Sequence, residues 1–223
     1  MKKVSIIIPV YNEEKTIKIV LEKVLKLKLN KEIIVVNDGS KDNTFKELKL
    51  LRKKIKLISY RNNQGKGYAL RKGIAEATGE FIVFQDADLE YNPKEIPKLI
   101  KELKKEKVVY GSRFLKKNEK GNFANYLANI FLSFSTSVLY GQKITDMETC
   151  YKSFRKEVLK ELNLVSDGFE IEPEITSKIL KKKIKIKEIP ISYKPRTKKE
   201  GKKIKFIDGI KAVWSLIKWK VKD

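Results

Sequence analysis

Two aspartates, Asp86 and Asp88, follow directly after the apolar run Phe81-Ile82-Val83-Phe84. Such a run is typical of a buried strand, and two carboxylates at its end cannot both point into the core. They can share one divalent cation, because Mg²⁺ commonly takes one or two protein carboxylates and completes its shell with substrate phosphates. A cation held in this way stabilises a diphosphate as it leaves. The spacing therefore predicts metal-assisted chemistry on a phosphorylated substrate.

The residue types that are missing narrow this chemistry. The sequence contains no histidine, which excludes histidine-based triads, histidine general bases and histidine metal ligands. A metal must then be held by carboxylates, which favours Mg²⁺ or Mn²⁺ over Zn²⁺. Cys150 is the single cysteine, so no intrachain disulfide is possible and a reducing compartment fits.

The 223 residues carry a formal net charge of +23, with 51 Lys and Arg against 28 acids. This charge predicts an anionic partner or surface, such as nucleic acid, acidic lipid or a phosphorylated substrate. The alternative is that lysine is simply the preferred solvated residue, since the lysines are spread along the whole chain. No run approaches the ~18–20 apolar residues that a membrane-spanning helix needs. The apolar N-terminal stretch is interrupted by Pro9 and indicates a strand, not a signal peptide.

Apolar runs and helical periodicity alternate four times in the first ~90 residues. They predict strands at residues 4–10, 31–36, 56–59 and 81–84, with helices at about 13–28, 43–53 and up to residue 77. This pattern predicts an α/β fold whose mostly parallel sheet is covered by helices on both faces. In the second half we predict helices at 121–140, about 170–182 and about 206–221, and a strand at 185–191. A lysine-rich stretch at 194–205 is predicted to be a mobile loop. The whole chain, 1–223, is expected to form one domain.

Three of the predicted strands end in polar, acidic loops within this otherwise basic chain. The loops are Tyr11-Asn12-Glu13-Glu14, Asn37-Asp38-Gly39-Ser40 and Asp86-Ala87-Asp88. In a parallel sheet these ends lie at the same edge, where functional loops gather. Helix capping by Asp, Asn and Ser is the alternative explanation, and it accounts for one such loop more easily than for three.

Taken in order, the motifs resemble the family 2 glycosyltransferases of the GT-A fold. The resemblance rests on Pro9 to Glu14, Val36 to Ser40, Asn63 to Gly67 and Asp86 to Asp88. Two further motifs, Gly111-Ser112-Arg113-Phe114 and Thr145 to Lys152, are similar to the branch of dolichyl-phosphate mannose synthases and bacterial polyprenyl-phosphate glycosyltransferases. The similarity runs from residue 4 to about residue 210.

The resemblance implies a role for each matching residue. Residues 1–115 would form a nucleotide-binding half, and residues 116–223 an acceptor half. The residues expected to bind the nucleotide sugar are Pro9, Tyr11, Glu13, Val36, Asp38, Lys66, Asp86, Ala87, Arg196, Lys202 and Lys203. Those expected to be catalytic are Asp88, Arg113 and Asp146. The segment around Gly201 would close over the donor phosphates.

The chemistry of Arg113 alone also indicates phosphate binding, because a planar guanidinium binds two phosphate oxygens at once. The alternative is an arginine that pairs with a nearby acid. For Asp146 the alternative is a helix or turn cap, and for Lys66 it is a solvated loop lysine.

Two positions depart from the family pattern. The family often has Asp where this chain has Asn37, so pairing there can differ. Many dolichyl-phosphate mannose synthases have Gln where this chain has Glu90. Glu90 therefore joins Asp86 and Asp88 as a candidate metal ligand, and it weakens the assignment of mannose as the sugar.

The resemblance implies inverting transfer of a hexose, mannose or glucose, from GDP-mannose or UDP-glucose to a polyprenyl (dolichyl or undecaprenyl) phosphate. A phosphate monoester is already ionised at neutral pH, its second pKa being about 6, and needs no general base. A sugar or protein hydroxyl as acceptor would need one, and Asp146 or Glu148 would supply it. A basic nucleic-acid-binding protein is a third possibility, but it predicts clustered cations with stacking aromatics and no acidic rim.

The predicted helices at 121–140 and 206–221 are amphipathic, and the second carries several lysines. Such helices can lie in the interface of an anionic bilayer, or they can pack on the sheet. We expect a cytoplasmic protein, peripheral at the inner face of the membrane, which binds the bilayer directly or through a separate membrane-protein partner.

Overall fold

A computed structural model describes residues 2–119, 122–196 and 206–222, with the backbone alone for residues 206–208. Its strands are β1 (Val4–Val10), β2 (Lys31–Asp38), β3 (Lys56–Tyr60), β4 (Phe81–Phe84), β5 (Val108–Ser112), β6 (Lys152–Arg155) and β7 (Ile186–Pro190). Its α-helices are α1 (Ile17–Leu25), α2 (Thr44–Leu50), α3 (Lys66–Glu76), α4 (Ile96–Leu103), α5 (Phe123–Tyr140), α6 (Lys156–Lys160), α7 (Ile171–Lys181) and α8 (Phe206–Val221). A short 3₁₀ turn (Pro93–Glu95) precedes α4.

The strands form one sheet in the order β3-β2-β1-β4-β6-β5-β7. Only β6 runs antiparallel to its neighbours, while the other described pairs are parallel. Together with the surrounding helices, this confirms the predicted α/β architecture with a mostly parallel sheet.

β1 lies between β2 and β4 in the sheet. Its residues from Val4 to Ile8 are all buried. Successive side chains of a strand point to opposite faces, so helices must cover both faces of β1. One of these helices, α3, approaches closely because it has Gly73 at the contact: a Cβ there would lie 2.3 Å from Ile7 Cγ2. This close packing brings the start of α3 to the edge where β1 ends.

All of the predicted strands and helices are present within a few residues of their predicted bounds. Four further elements, β5, β6, α4 and α6, have no counterpart among those predicted from the sequence. β5 and β6 extend the sheet beyond β4: β6 brings the Thr145 to Lys152 motif beside β4, and β5 places the Arg113 motif one strand further along.

The C-terminal helix α8 packs along α7 and also contacts α5. It buries Ala212, Leu216 and Trp219, and the Tyr140 hydroxyl of α5 donates to the Leu216 carbonyl at 2.9 Å. Among the described residues, no helix has the length and apolar character needed to cross a bilayer.

Candidate active site

The loops after β1, β2 and β4 meet at the carboxyl edge of the sheet, because β1 pairs with both other strands. The β1 loop is tied to the residues after β2 by backbone donors. Asn12 N donates to Ser40 Oγ at 3.0 Å, and Glu13 N donates to Thr44 Oγ1 at 2.7 Å. These bonds fix the loop that carries the buried carboxylate of Glu13. The acidic edge expected from the three loops is thus assembled.

Asp38 ends β2 and holds the loop that leads into α3. Its carboxylate accepts hydrogen bonds from the Gln64 and Gly65 amides at 2.9 and 2.7 Å, and from Asn63 Nδ2 at 2.8 Å. Burial raises the pKa of Asp38, and the two amides oppose that shift. Because Lys66 comes next in the chain, Asp38 fixes the point at which that lysine enters the site.

Lys66 lies between two carboxylates. Its Nζ is 3.0 Å from Asp86 Oδ1 and 3.0 Å from Glu172 Oε1. Burial opposes the charge on Lys66, but Asp86 and then Glu172 raise its pKa well above the ordinary value. In turn burial favours the neutral form of Asp86, and Lys66 reverses this and lowers the pKa of Asp86. The lysine is therefore an internal counter-ion of the site and not a solvated loop residue.

Asp88 shares its surroundings with other carboxylates. Burial, and then the charge of Asp86, raise the pKa of Asp88 to about 7, while Arg196 opposes the shift. Arg196 Nη2 donates to Asp88 Oδ2 at 2.8 Å, and Nη1 donates to Glu13 Oε1 at 3.0 Å. The Arg196 amide donates to Glu90 Oε1 at 2.6 Å. One arginine, reaching in after β7, thus joins three acids from the β1 and β4 loops.

The residues present fit a divalent cation in one particular way. Within the described ranges, no three Asp, Glu, Cys or His side chains converge on a common metal position, so Asp86, Asp88 and Glu90 do not form a ready set of three ligands. Asp86 and Asp88 remain adjacent acids whose mutual repulsion a cation would relieve. This matches Mg²⁺ or Mn²⁺ sites in which two carboxylates bind the ion and substrate oxygens complete the shell.

The other residues expected to bind the nucleotide sugar lie in or beside the strand ends. Pro9 and Val36 are partners in the register of β1 and β2, and Val36 is wholly buried. Ala87 is buried between the two aspartates, and Tyr11 is half-buried in the β1 loop. The predictions for Lys202, Lys203 and Gly201 lie outside the described residues.

Arg113 and Asp146 form a second polar centre beyond the end of β5. The Asp146 carboxylate accepts from the Arg113 backbone N and Nε at 2.8 Å each, and from Nη2 at 2.7 Å. Asp146 is fully buried. Burial opposes the charge on Arg113, but Asp146 raises the pKa of Arg113 well above its ordinary value. Asp146 takes two of the five guanidinium N–H donors, which orients the group in one plane.

Arg113 also lines an open cavity of about 140 Å³ between the loop after β5 and helix α5. The loop contributes Lys116 and Lys117, and α5 contributes Asn125, Tyr126 and Asn129. The Arg113 guanidinium lies over the Tyr193 ring, 5.1 Å from its centroid. The cavity is lined by three cationic side chains, Arg113, Lys116 and Lys117, and lies beside the acidic edge.

Three residues of the site were not predicted from the sequence as site residues, or were predicted only for one alternative acceptor. Glu172 and Lys152 form a buried ion pair behind Lys66, and neither stands in a loop that the strand-end argument singles out. Glu148 was considered only as a base for a hydroxyl acceptor. Its Oε1 is buried and has no hydrogen-bond partner among the described residues. Burial, only partly offset by Lys152, raises the pKa of Glu148 to about 7.

Comparison with known proteins gives a consistent family. The family model for glycosyl transferase family 2 matches residues 5–163. The dolichol-phosphate mannosyltransferase of Pyrococcus furiosus is 33% identical over 231 aligned positions, which cover 97% of this chain and 64% of that protein. The chain thus spans less than two thirds of that relative's length. An uncharacterized protein of Methanocaldococcus jannaschii is 33% identical, with 98% of this chain and 92% of that protein covered.

Solved structures show the same fold. Glucosyl-3-phosphoglycerate synthase from Mycobacterium tuberculosis, in complex with Mn²⁺, uridine diphosphate and phosphoglyceric acid, superposes with a TM-score of 0.77. The sequences are 17% identical, and the match covers 99% of this chain and 79% of that one. The same enzyme with Mg²⁺ and uridine diphosphate gives a TM-score of 0.73 at 17% identity, covering 98% of this chain and 79% of that one. At this identity the likeness establishes the fold alone.

Proposed function

This chain belongs to glycosyl transferase family 2 and is a glycosyltransferase, and from that premise we propose that it transfers a hexose to a polyprenyl phosphate. The donor would be a nucleoside-diphosphate sugar, and the transfer would proceed with inversion and with the help of a divalent cation. The observation that carries the proposal is the pairing of two centres on one edge of the sheet. Asp86 and Asp88 form an acidic centre, and Arg113 lines a basic cavity beside it. The first suits a cation with a diphosphate, and the second suits an acceptor phosphate.

The donor is assigned to the half formed by residues 1–115. Asp86 and Asp88 would hold Mg²⁺ or Mn²⁺, which would neutralise the diphosphate as it leaves. Pro9, at the end of β1, and Tyr11 and Glu13, in the loop after it, would contact the nucleoside. Lys66 and Arg196 supply positive charge for the phosphates, and both already lie against the aspartates. The residues leave both GDP-mannose and UDP-glucose as candidate donors.

The acceptor phosphate is assigned to the half formed by residues 116–223 together with Arg113. Asp146 is buried and bound to Arg113, so it holds the guanidinium instead of facing a substrate hydroxyl. A base is not needed if the acceptor oxygen is already ionised, as in a phosphate monoester. The engagement of Asp146 therefore favours a phosphate acceptor over a hydroxyl acceptor.

The apolar surface next to the cavity supports a lipid-linked acceptor. Helix α5 lines the cavity with Asn125, Tyr126 and Asn129, and it exposes a row of large apolar side chains, namely Phe123, Leu127, Ile130, Phe131, Phe134 and Val138. Helix α8 buries one face on α7 and exposes Ile210, Trp214, Ile217 and Val221. Lysines of the last turn, Lys218 and Lys220, stand beside this face. We assign this surface to the interface of an anionic bilayer at its cytoplasmic side, where the phosphate of a polyprenyl lipid can enter the cavity.

A second candidate is transfer to a sugar or protein hydroxyl, and Glu148 favours it. A carboxylate with one buried oxygen that has no hydrogen-bond partner among the described residues, and with a pKa of about 7, has the properties of a general base. This candidate shares the donor site and differs only in the acceptor.

The deciding experiment is transfer from radiolabelled GDP-mannose and UDP-glucose to a short polyprenyl phosphate, with Mn²⁺, with Mg²⁺ and with EDTA. Metal-dependent label in the lipid phase, lost in Asp88→Asn, is the expected result and names the donor. Asp167→Asn is the matched control, because Asp167 is an exposed acid whose partner is Arg71. Metal-dependent donor hydrolysis without a lipid product would move the assignment to the hydroxyl acceptor. Lipid label that persists in EDTA and in Asp88→Asn would refute the role of the aspartates.

A further inference from the structure

Behind the acidic edge lies a buried row of alternating charges, Asp86, Lys66, Glu172 and Lys152. We propose that Glu172 and Lys152 are positioning residues, which hold Asp86 ready for a divalent cation by fixing Lys66. The inference rests on the proposed function in one respect, namely that Asp86 takes part in binding the cation.

The contacts run without a gap from Asp86 to the interior. Glu172 Oε1 is 3.0 Å from Lys66 Nζ, and Glu172 Oε2 accepts from Lys152 Nζ. Lys152 is 0% exposed, donates to the Thr149 carbonyl at 2.9 Å, and lies over the Tyr110 ring. Each charged group thus has partners on two sides, so a displacement of one member moves the next.

A structural role alone accounts poorly for this arrangement. Removing charges from water is costly, and a buried ion pair is often no more stabilising than apolar residues of similar volume. Lys152 stands in β6 with the buried Phe154 nearby, where an aliphatic side chain would fit the surroundings. The row ends on Asp86, the acid at the sheet edge, and its Lys66 ammonium contacts the Asp86 carboxylate from the interior side.

The geometry explains why Lys66 needs a second carboxylate. A lysine side chain is long and flexible, and with Asp86 as its sole acid its ammonium would follow that group closely. Glu172 draws the same ammonium from the opposite side, so that Asp86 keeps a fixed direction and a share of its negative charge for another cation. Without Glu172, Lys66 would neutralise Asp86 more completely, and the affinity for a divalent cation would fall.

The test is Mn²⁺ binding to the purified protein with UDP or GDP, measured from the electron paramagnetic resonance signal of free Mn²⁺. We expect Glu172→Gln to weaken Mn²⁺ binding on the order of 10-fold, the range seen when residues that orient metal ligands are changed. Glu174→Gln is the matched control: Glu174 is also wholly buried in α7, but it pairs with Lys178 and accepts from the Val165 and Ser166 amides. It should lower the melting temperature and leave the Mn²⁺ affinity unchanged.

A second variant covers the case in which Glu172→Gln does not fold. Replacing both partners, Lys152→Met with Glu172→Leu, leaves no unpaired charge between them and should restore the melting temperature without restoring Mn²⁺ affinity. Equal losses of Mn²⁺ affinity in Glu172→Gln and Glu174→Gln would show a merely structural role, and wild-type affinity in both Glu172 variants would also overturn the inference. A wild-type protein that binds no Mn²⁺ with either nucleotide would instead refute the metal-dependent function itself.

Discussion

The pair of Arg113 and Asp146 offers the sharpest test of the proposed acceptor site. We expect Asp146→Asn to destabilise the protein and to weaken acceptor binding, without removing a general base. The amide keeps one oxygen for the Arg113 backbone N and Nε, but it places an NH₂ group against Nη2, where Oδ1 now accepts at 2.7 Å. Breaking one partner of a buried ion pair costs about 3–5 kcal/mol, because the other charge is left without compensation. With part of the hydrogen bonding retained, we expect roughly 3 kcal/mol.

The assay combines urea denaturation with steady-state kinetics. In a double-mutant cycle, Arg113→Met should cancel much of the destabilisation caused by Asp146→Asn, because it removes the unpaired guanidinium. The KM for the polyprenyl phosphate should rise in both single variants, while the pH dependence of kcat keeps its shape. If Asp146→Asn instead retains wild-type stability and acceptor KM, loses kcat by about 10³-fold or more and loses the pH dependence of a general base, Asp146 is the base and our reasoning is wrong.

Four other predictions follow from single contacts. Gly67→Ala should lower the melting temperature by several degrees on thermal scanning, because its Cβ would lie 2.4 Å from the Ser166 carbonyl oxygen. Burial raises the pKa of Glu32, but hydrogen bonds from Lys3, Ser5 and Thr78 outweigh it and lower that pKa to about 2. Glu32 should therefore contribute about 2–3 kcal/mol, which is fully present above its unfolded pKa of ~4.3 and is lost as the pH falls towards 2. The cost of Glu32→Gln, measured by urea denaturation, should thus shrink between pH 6 and pH 3.5. The effect of Glu148 on stability has the opposite sign, because its raised pKa of about 7 makes the ionised form destabilising. Glu148→Gln should therefore increase the free energy of unfolding by about 2 kcal/mol at pH 8 and by little at pH 4.5. Its kcat should stay within a few-fold of wild type if the acceptor is a phosphate. Trp214→Glu should reduce flotation with anionic liposomes at low salt, whereas a charge at the exposed Ile19 of α1 should not.

The first half of the fold could be predicted because its signals are local. β1, β2 and β4 are short apolar runs that end in polar loops, and a parallel sheet requires such ends to meet. β6 could not be recognised in the same way, because its four residues, Lys152–Arg155, carry a charge at each end. Lys152 is buried only because Glu172 compensates it, and that partner lies 20 residues along the chain. A strand that depends on a distant ion pair has no local hydrophobic pattern.

At the site, local motifs could be predicted from the sequence, whereas long-range contacts could not. Asp86, Asp88 and Arg113 stand in short motifs, so their presence at the sheet edge was foreseeable. The contacts that set their states are distant in sequence: Arg196 reaches Asp88 across 108 residues, and Arg113 reaches Asp146 across 33. Sequence spacing predicts which groups share an edge, but which acid faces which cation is decided by packing.

The charges at the edge are balanced in a way that suits its proposed substrates. Among the described residues, seven carboxylates interact with four cations. The acids are Glu13, Asp86, Asp88, Glu90, Asp146, Glu148 and Glu172, and the cations are Lys66, Arg113, Lys152 and Arg196. The excess is negative within a chain of net charge +23, so the edge attracts a cation where the rest of the surface attracts anions. Arg196 donates to Oδ2 of Asp88, so under the proposed function a cation bound at that oxygen would displace the guanidinium. The displaced guanidinium would then be available to the phosphates of the donor, so a single movement of Arg196 would expose the carboxylate oxygen and supply a counter-charge for the diphosphate.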